Sequence, residues 1–174
     1  MFFRLPSALF DYLCEHNAVV GNPVAGVKRP SANANEGSMP ALGDAQVRKL
    51  LDAPPEDTLK GIRDRAILAT LLYHGMRREE LCRLRLRDLH SRQGVMHFRI
   101  HGKRGKARFI PVHAMAQWLI AEYLARAGHA DDAVGPLFRP VTNNRTGELE
   151  KPLDGRSVHN NIVRKYALET GISA

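Results

Sequence analysis

Between about Thr58 and His74 the chain carries a helical stretch whose second half, Ala66 to Tyr73, is almost wholly apolar. A helix apolar on every side has to be buried, so the rest of the chain must be arranged around it. Its apolar run is far shorter than the roughly 20 residues a membrane span needs, and the stretch reads as the core helix of a globular unit. Gly75 follows at once and suits a left-handed C-cap, from which the chain turns sharply away. The residues placed at that turn are Met76, Arg77 and a short polar helix, Arg78 to about Leu84.

The remaining elements can be set around this helix. Residues 1–20 read as helix from near Pro6, with Leu5, Leu9 and Leu13 at a spacing of four, stopped by Gly21-Asn22-Pro23. Residues 28–43 have a linker composition rich in Pro, Ser, Asn, Ala and Gly. Asp44 is expected to cap a short helix, Ala45 to Ala53, ended by Pro54-Pro55. Val95 to His101 alternates: Met96, Phe98 and Ile100 face one way, and His97, Arg99 and His101 the other. Ser91-Arg92-Gln93-Gly94 is a turn before it, Gly102 to Lys106 a turn after it, and Ala107 to Val112 a further strand. With Leu86 to His90 as first strand, this predicts about three antiparallel strands. Residues 114–127 read as helix with Trp118, Leu119, Tyr123 and Leu124 inward. Residues 130–153 read as loops around an apolar island at Leu137-Phe138, and a last helix runs from about Gly155 to Thr170. The fold class is mainly α with a small three-stranded antiparallel sheet, α+β.

The 174 residues are 44% hydrophobic and 25% charged, ordinary for a soluble globular protein, and the net charge of +8 favours a polyanionic partner. Cys14 and Cys82 form no CxxC pair and read as reduced thiols of a cytosolic protein. The N-terminal segment, broken by Arg4, Pro6 and Asp11, is not a secretory signal. His97 and His101 lack a convincing third ligand nearby, so no metal is expected. No P-loop or dinucleotide fingerprint calls for a cofactor.

Two groups of residues suggest chemistry on a phosphodiester. Arg77 lies where the chain leaves a buried helix, and a guanidinium can grip two phosphate oxygens at once. Glu80, three residues on, can orient it, though pairing with Arg83 or Arg77 on the surface is an equal reading. Lys103 stands at a hairpin tip with Arg104, Lys106 and Arg108, where a lysine can act as general acid toward a leaving oxygen. Arg83, Arg85 and Arg87 form a further basic run, some of which is read as phosphate contact without the spacing deciding which members.

These motifs together resemble the catalytic domain of the tyrosine recombinases, the phage-integrase and Xer type. The matching residues are Arg63-Asp64-Arg65-Ala66, Tyr73-His74-Gly75-Met76-Arg77, Glu79-Glu80-Leu81, Gly102-Lys103-Arg104-Gly105-Lys106-Ala107-Arg108 and Phe109-Ile110-Pro111-Val112. Asn22-Pro23 and Val27-Lys28-Arg29-Pro30 resemble the exit from the family's helical core-binding domain. The resemblance implies that Arg77 is the first catalytic arginine, Lys103 the hairpin lysine and Glu80 a supporting acid. DNA contacts would come from Arg104, Lys106, Arg108 and Arg83. It divides the chain into a core-binding remnant at 1–27, a linker at 28–43 and the first part of a catalytic domain at 44–174. The implied activity is site-specific DNA recombination or integration through a 3′-phosphotyrosyl intermediate, without cofactor or metal. The implied partners are double-stranded DNA and further recombinase subunits, a tetramer on DNA, in a cytoplasmic, nucleoid-associated setting with no membrane.

The family's His-x-x-Arg box and nucleophilic tyrosine do not follow the hairpin here. His159-Asn160-Asn161-Ile162 has the histidine alone, and Tyr166 is not assigned as nucleophile. The sequence is therefore expected to be cut short of the second half of the site and inactive by itself. A non-catalytic DNA-binding fragment or accessory protein, and a type IB topoisomerase-like enzyme, remain as alternatives.

Overall fold

The computed structural model describes residues 4–25, 41–102, 106–142 and 147–172. The chain divides into two compact units, Met1–Ala41 and Leu42–Ala174. Most of the stretch read as a linker lies outside the described residues.

In the first unit, α1 (Arg4–Glu15) ends five residues before the expected boundary. Asn17 adopts a left-handed φ of 54°, and the Ala18 N–H returns to the Leu13 carbonyl at 2.9 Å, which closes the helix end. The Asn22 side-chain amide then donates to Asp11 at 2.6 Å and holds the following turn against α1.

The second unit is built on α3 (Leu59–His74). Thr58 caps it by accepting from the Gly61 N–H, and Gly75 ends it at φ 55°, ψ 30°. Ile62, Ala66, Ile67, Leu68 and Ala69 are buried along α3, as its composition requires. Gly61 is needed for a separate reason: a Cβ there would overlap the Pro55 carbonyl, which closes directly over the first turn. Ahead of it, α2 (Asp44–Asp52) starts one residue earlier than expected. Gln46 accepts from the Gly43 N–H at 3.0 Å, so Gly43 is the cap and Asp44 sits in the first turn.

After α4 (Arg78–Arg83) comes a 3-10 turn (Leu86–Asp88) where a strand was expected. The Asp88 carboxylate accepts from the Arg85 N–H at 3.0 Å and bends the chain, so pairing begins only at Leu89. The sheet has the order β1 (Leu89–Arg92), β2 (Val95–His101), β3 (Ala107–Pro111), antiparallel throughout. Its first hairpin is tighter than predicted. Arg92 pairs with Val95, which leaves only Gln93 and Gly94, at φ 51° and 79°, in the turn. Phe98 and Ile100 are buried and Arg99 and His101 exposed, which matches the alternation read from β2.

Helix α5 (Ala114–Ala127) packs on α3 and buries Ala116, Leu119, Ile120, Tyr123 and Leu124. Trp118, expected to point inward, is 58% exposed because it falls outside that stripe. Leu137 and Phe138 enter the core as expected. The final helical segment comprises α6 (Gly155–Val158), a π-helical turn (His159–Val163) and α7 (Arg164–Glu169). One buried polar cluster joins the two ends of this unit. Asp64, wholly buried, pairs with Lys60 and Arg63 and accepts a hydrogen bond from the Tyr166 hydroxyl at 3.1 Å.

Candidate functional site

The left-handed turn at Gly75 puts Met76 into the core and leaves Arg77 as the N-cap of α4. With Met76 buried on one side and Leu81 and Cys82 on the other, the Arg77 backbone is fixed while its side chain stays 81% exposed. Glu80 is the pivot of the site. It accepts from the Arg77 N–H at 3.0 Å and from the Arg108 guanidinium at 2.9 Å, and its other oxygen lies 3.6 Å from the Arg77 guanidinium. Arg108 comes from β3, opposite Ile100 of β2, so α4 and the sheet meet at one carboxylate.

The Glu80 side chain is only 12% exposed, and burial by itself would push its pKa up. The hydrogen bonds from Arg77 and Arg108, with the charges of those arginines, outweigh burial and hold it below the ordinary glutamate value. One carboxylate thus faces two permanent cations, and the trio keeps a net positive charge. Each guanidinium has five N–H donors and gives Glu80 only part of them. The remaining donors of Arg77, and of the 46% exposed Arg108, are open to an outside anion.

Of the residues singled out in the sequence, the fold brings Arg77, Glu80 and Arg108 together. Arg83 is exposed and lines a shallow crevice with Glu80, Arg99 and His101. Lys106 is exposed, and its carbonyl accepts from the Gly102 N–H at 2.7 Å. Lys103 and Arg104 lie outside the described residues. Tyr166 is 1% exposed, held on Asp64, and burial first and the Asp64 charge second push its phenol pKa up; it is a structural residue.

Two supporting histidines escaped the sequence reading. His101 lies 3.0 Å from the buried Asp88 carboxylate, which ties the end of β2 to the 3-10 turn. His74, three residues before Arg77, places Nδ1 2.9 Å from the Thr70 carbonyl and accepts from the His113 N–H at 3.0 Å through Nε2. That pattern requires a neutral ring with its proton on Nδ1, and burial lowers its pKa accordingly. The His101–Asp88 and His74–His113 contacts span 13 and 39 residues and leave no local signal. Cys82, beside the site in sequence, is pushed up to about 11, mainly by burial and further by Glu79 and Asp154, and is no nucleophile at neutral pH.

Residues 41–174 match the phage integrase family. Among curated proteins, the chain is 31% identical over 170 residues to the tyrosine recombinase XerC of Pelotomaculum thermopropionicum, covering 95% of this chain and 54% of that protein. It is 35% identical over 130 residues to the tyrosine recombinase XerD of Shewanella oneidensis, covering 72% of this chain and 42% of that protein. The chain therefore spans about half the length of these relatives. Among solved structures, XerA recombinase aligns with a TM-score of 0.58 at 24% identity, over 78% of this chain and 45% of that one. XerH recombinase bound to its difH substrate aligns with a TM-score of 0.57 at 19% identity, over 76% of this chain and 37% of that one. At these identities the structural likenesses speak for the fold.

Proposed function

The chain belongs to the phage integrase family, and on that premise we propose that it serves site-specific DNA recombination by strand cleavage and rejoining through a 3′-phosphotyrosyl link. The observation that carries the proposal is the convergence of Arg77 and Arg108 on Glu80. A phosphodiester gains negative charge as it passes through a five-coordinate state, and without a metal that charge has to be met by fixed cations. Arg77 supplies a guanidinium fork on a rigid N-cap, Arg108 adds a second, and Glu80 orients both. Lys103 is assigned as the general acid. The attacking tyrosine gives up its phenol proton to water as its oxygen forms the new P–O bond, the P–O5′ bond breaks, and the lysine proton goes to the leaving O5′. The covalent link conserves the bond, so no high-energy cofactor is required.

Tyr166 is not the nucleophile in this reading, which assigns that part to no tyrosine of residues 1–174. Double-stranded DNA is the partner, with Arg104, Lys106, Arg108 and Arg83 touching its backbone, and a tetramer of recombinase subunits is the acting assembly. Residues 1–27 are read as the end of a core-binding domain, 28–43 as the linker and 44–174 as the first part of the catalytic domain.

The test is a chimera in which residues 41–174 replace the matching segment of the Pelotomaculum XerC. Incubated with a nicked duplex of that recombinase's site, it should form a covalent protein–DNA adduct that survives denaturing electrophoresis. Arg77→Ala should lower the rate by about 10²- to 10³-fold, the range for losing one donor at developing charge. Cleavage at near-unaltered rate in Arg77→Ala would remove Arg77 from the mechanism. A folded chimera that binds duplex but never forms an adduct would leave only a DNA-binding role.

A further inference from the structure

The face of the sheet turned away from the core carries nine side chains by strand alternation: His90 and Arg92 of β1, Val95, His97, Arg99 and His101 of β2, and Ala107, Phe109 and Pro111 of β3. None is acidic, although the chain has 18 Asp and Glu residues. Two are permanent cations and three are imidazoles. Like charges on neighbouring strand positions repel, so a face serving stability alone would be expected to interleave carboxylates.

The two arginines flank one ring. The Arg92 guanidinium lies 4.6 Å from the centroid of Phe109, and Arg99 is the cross-strand partner of Phe109. A guanidinium resting on a ring face spends its plane on the contact and keeps its edge donors for an anion. Arg92 and Arg99 are exposed, and neither has an ion-pair partner among the described residues. Beside Arg92 an open depression of about 680 Å³ is lined by Gln93, Val95, His97 and Pro111. By register this face is opposite to the one that turns Arg108 toward Glu80, because Arg108 pairs with Ile100 and alternates with Phe109.

We infer that this outer sheet face is a further duplex-DNA contact, gripping backbone phosphates through Arg92 and Arg99, with Arg99 at the edge of the crevice that Glu80 and Arg83 also line. The inference rests on the proposed function for its partner. Charge complementarity selects the occupant: the one carboxylate that reaches this face among the described residues, Asp88, is buried and engaged with His101, and the two exposed guanidinium forks match the regularly spaced phosphates of a duplex.

The experiment measures binding of the chain to a fluorescent 30-base-pair duplex of arbitrary sequence as salt is raised. Each arginine–phosphate contact contributes about 0.9 to the slope of log K against log salt. The double substitution Arg92→Ala, Arg99→Ala is expected to reduce that slope by about 2, and Arg92→Lys, Arg99→Lys, which keeps both charges, to leave it near the unaltered value. Circular dichroism of each variant checks the fold. An unchanged slope in the folded alanine variant overturns the inference and leaves the proposed function standing. An unchanged slope together with lost binding to a polyglutamate peptide assigns the face to an acidic protein and overturns it also. No duplex binding by the unaltered chain removes the proposed function and this inference together.

Discussion

Replacing Glu80 by alanine removes a carboxylate on which α4 and β3 converge, and the cost can be built from its contacts. The bond from the Arg77 N–H is half of a capping arrangement at the start of α4, for which about 1 kcal/mol is typical. The Arg108 pair is charge-assisted, but Arg108 is 46% exposed, which discounts it to about 0.5–1 kcal/mol. The Arg77 pair at 3.6 Å, with that arginine 81% exposed, adds close to nothing. The total is about 1.5–2 kcal/mol, or a fall in Tm of about 5 °C for a chain of this size. Glu80→Gln keeps an oxygen for the Arg77 N–H and loses the charge, so it should cost about half as much. The pH dependence separates charge from shape. The folded-state pKa of Glu80 is depressed, so its charge contributes stability above the unfolded value of about 4.3 and loses it as pH falls through the folded value. Calorimetry from pH 7 down to pH 3 should therefore show the gap between the unaltered chain and Glu80→Gln closing at the acid end. A Tm fall of under 1 °C for Glu80→Ala, or a gap constant across that range, would refute the reasoning.

Gly61→Ala should cost about 2–3 kcal/mol in urea denaturation, because the added Cβ meets the Pro55 backbone rather than a movable side chain; a neutral result would mean the Pro55 loop is not closed over α3. His74 has a lowered folded-state pKa, so its contribution is whole above the unfolded value of about 6.5 and declines as pH falls through the interval below it. His74→Gln should accordingly lose less stability than the unaltered chain between pH 7.5 and pH 5.5, and equal losses would contradict the tautomer assigned here. Trp118→Gln should change stability by no more than about 0.5 kcal/mol in the same assay, since the ring lies outside the buried stripe of α5.

What the sequence made legible was local. The limits of α3 follow from Thr58, a run of apolar residues and a glycine able to adopt positive φ, all within one element. The alternation of β2 likewise needs only its own residues. Trp118 shows where that reasoning fails: hydrophobicity suggests burial, but the phase of Ala116, Leu119, Ile120, Tyr123 and Leu124 decides which side of α5 faces inward. The bend at Asp88 turns on one carboxylate reaching a backbone N–H, a choice that propensity does not encode. The site was half visible. Arg77 and Glu80 are neighbours on one helix start, so their pairing could be read from a spacing of three. The Glu80–Arg108 contact spans 28 residues and depends on the register of β2 with β3, and the Asp64–Tyr166 bond spans 102. No periodicity carries such information.

The central claim is that Arg77 and Arg108, aligned by Glu80, hold a DNA phosphodiester. The most direct measurement is the ¹⁵N–¹H spectrum of the arginine Nε–Hε groups of the chain, with assigned signals, during titration with duplex DNA. The account predicts that the Arg77 and Arg108 signals shift together at saturating duplex, and that Glu80→Gln weakens or separates their responses. Binding of the duplex with both signals unmoved, while those of other arginines shift, would contradict it.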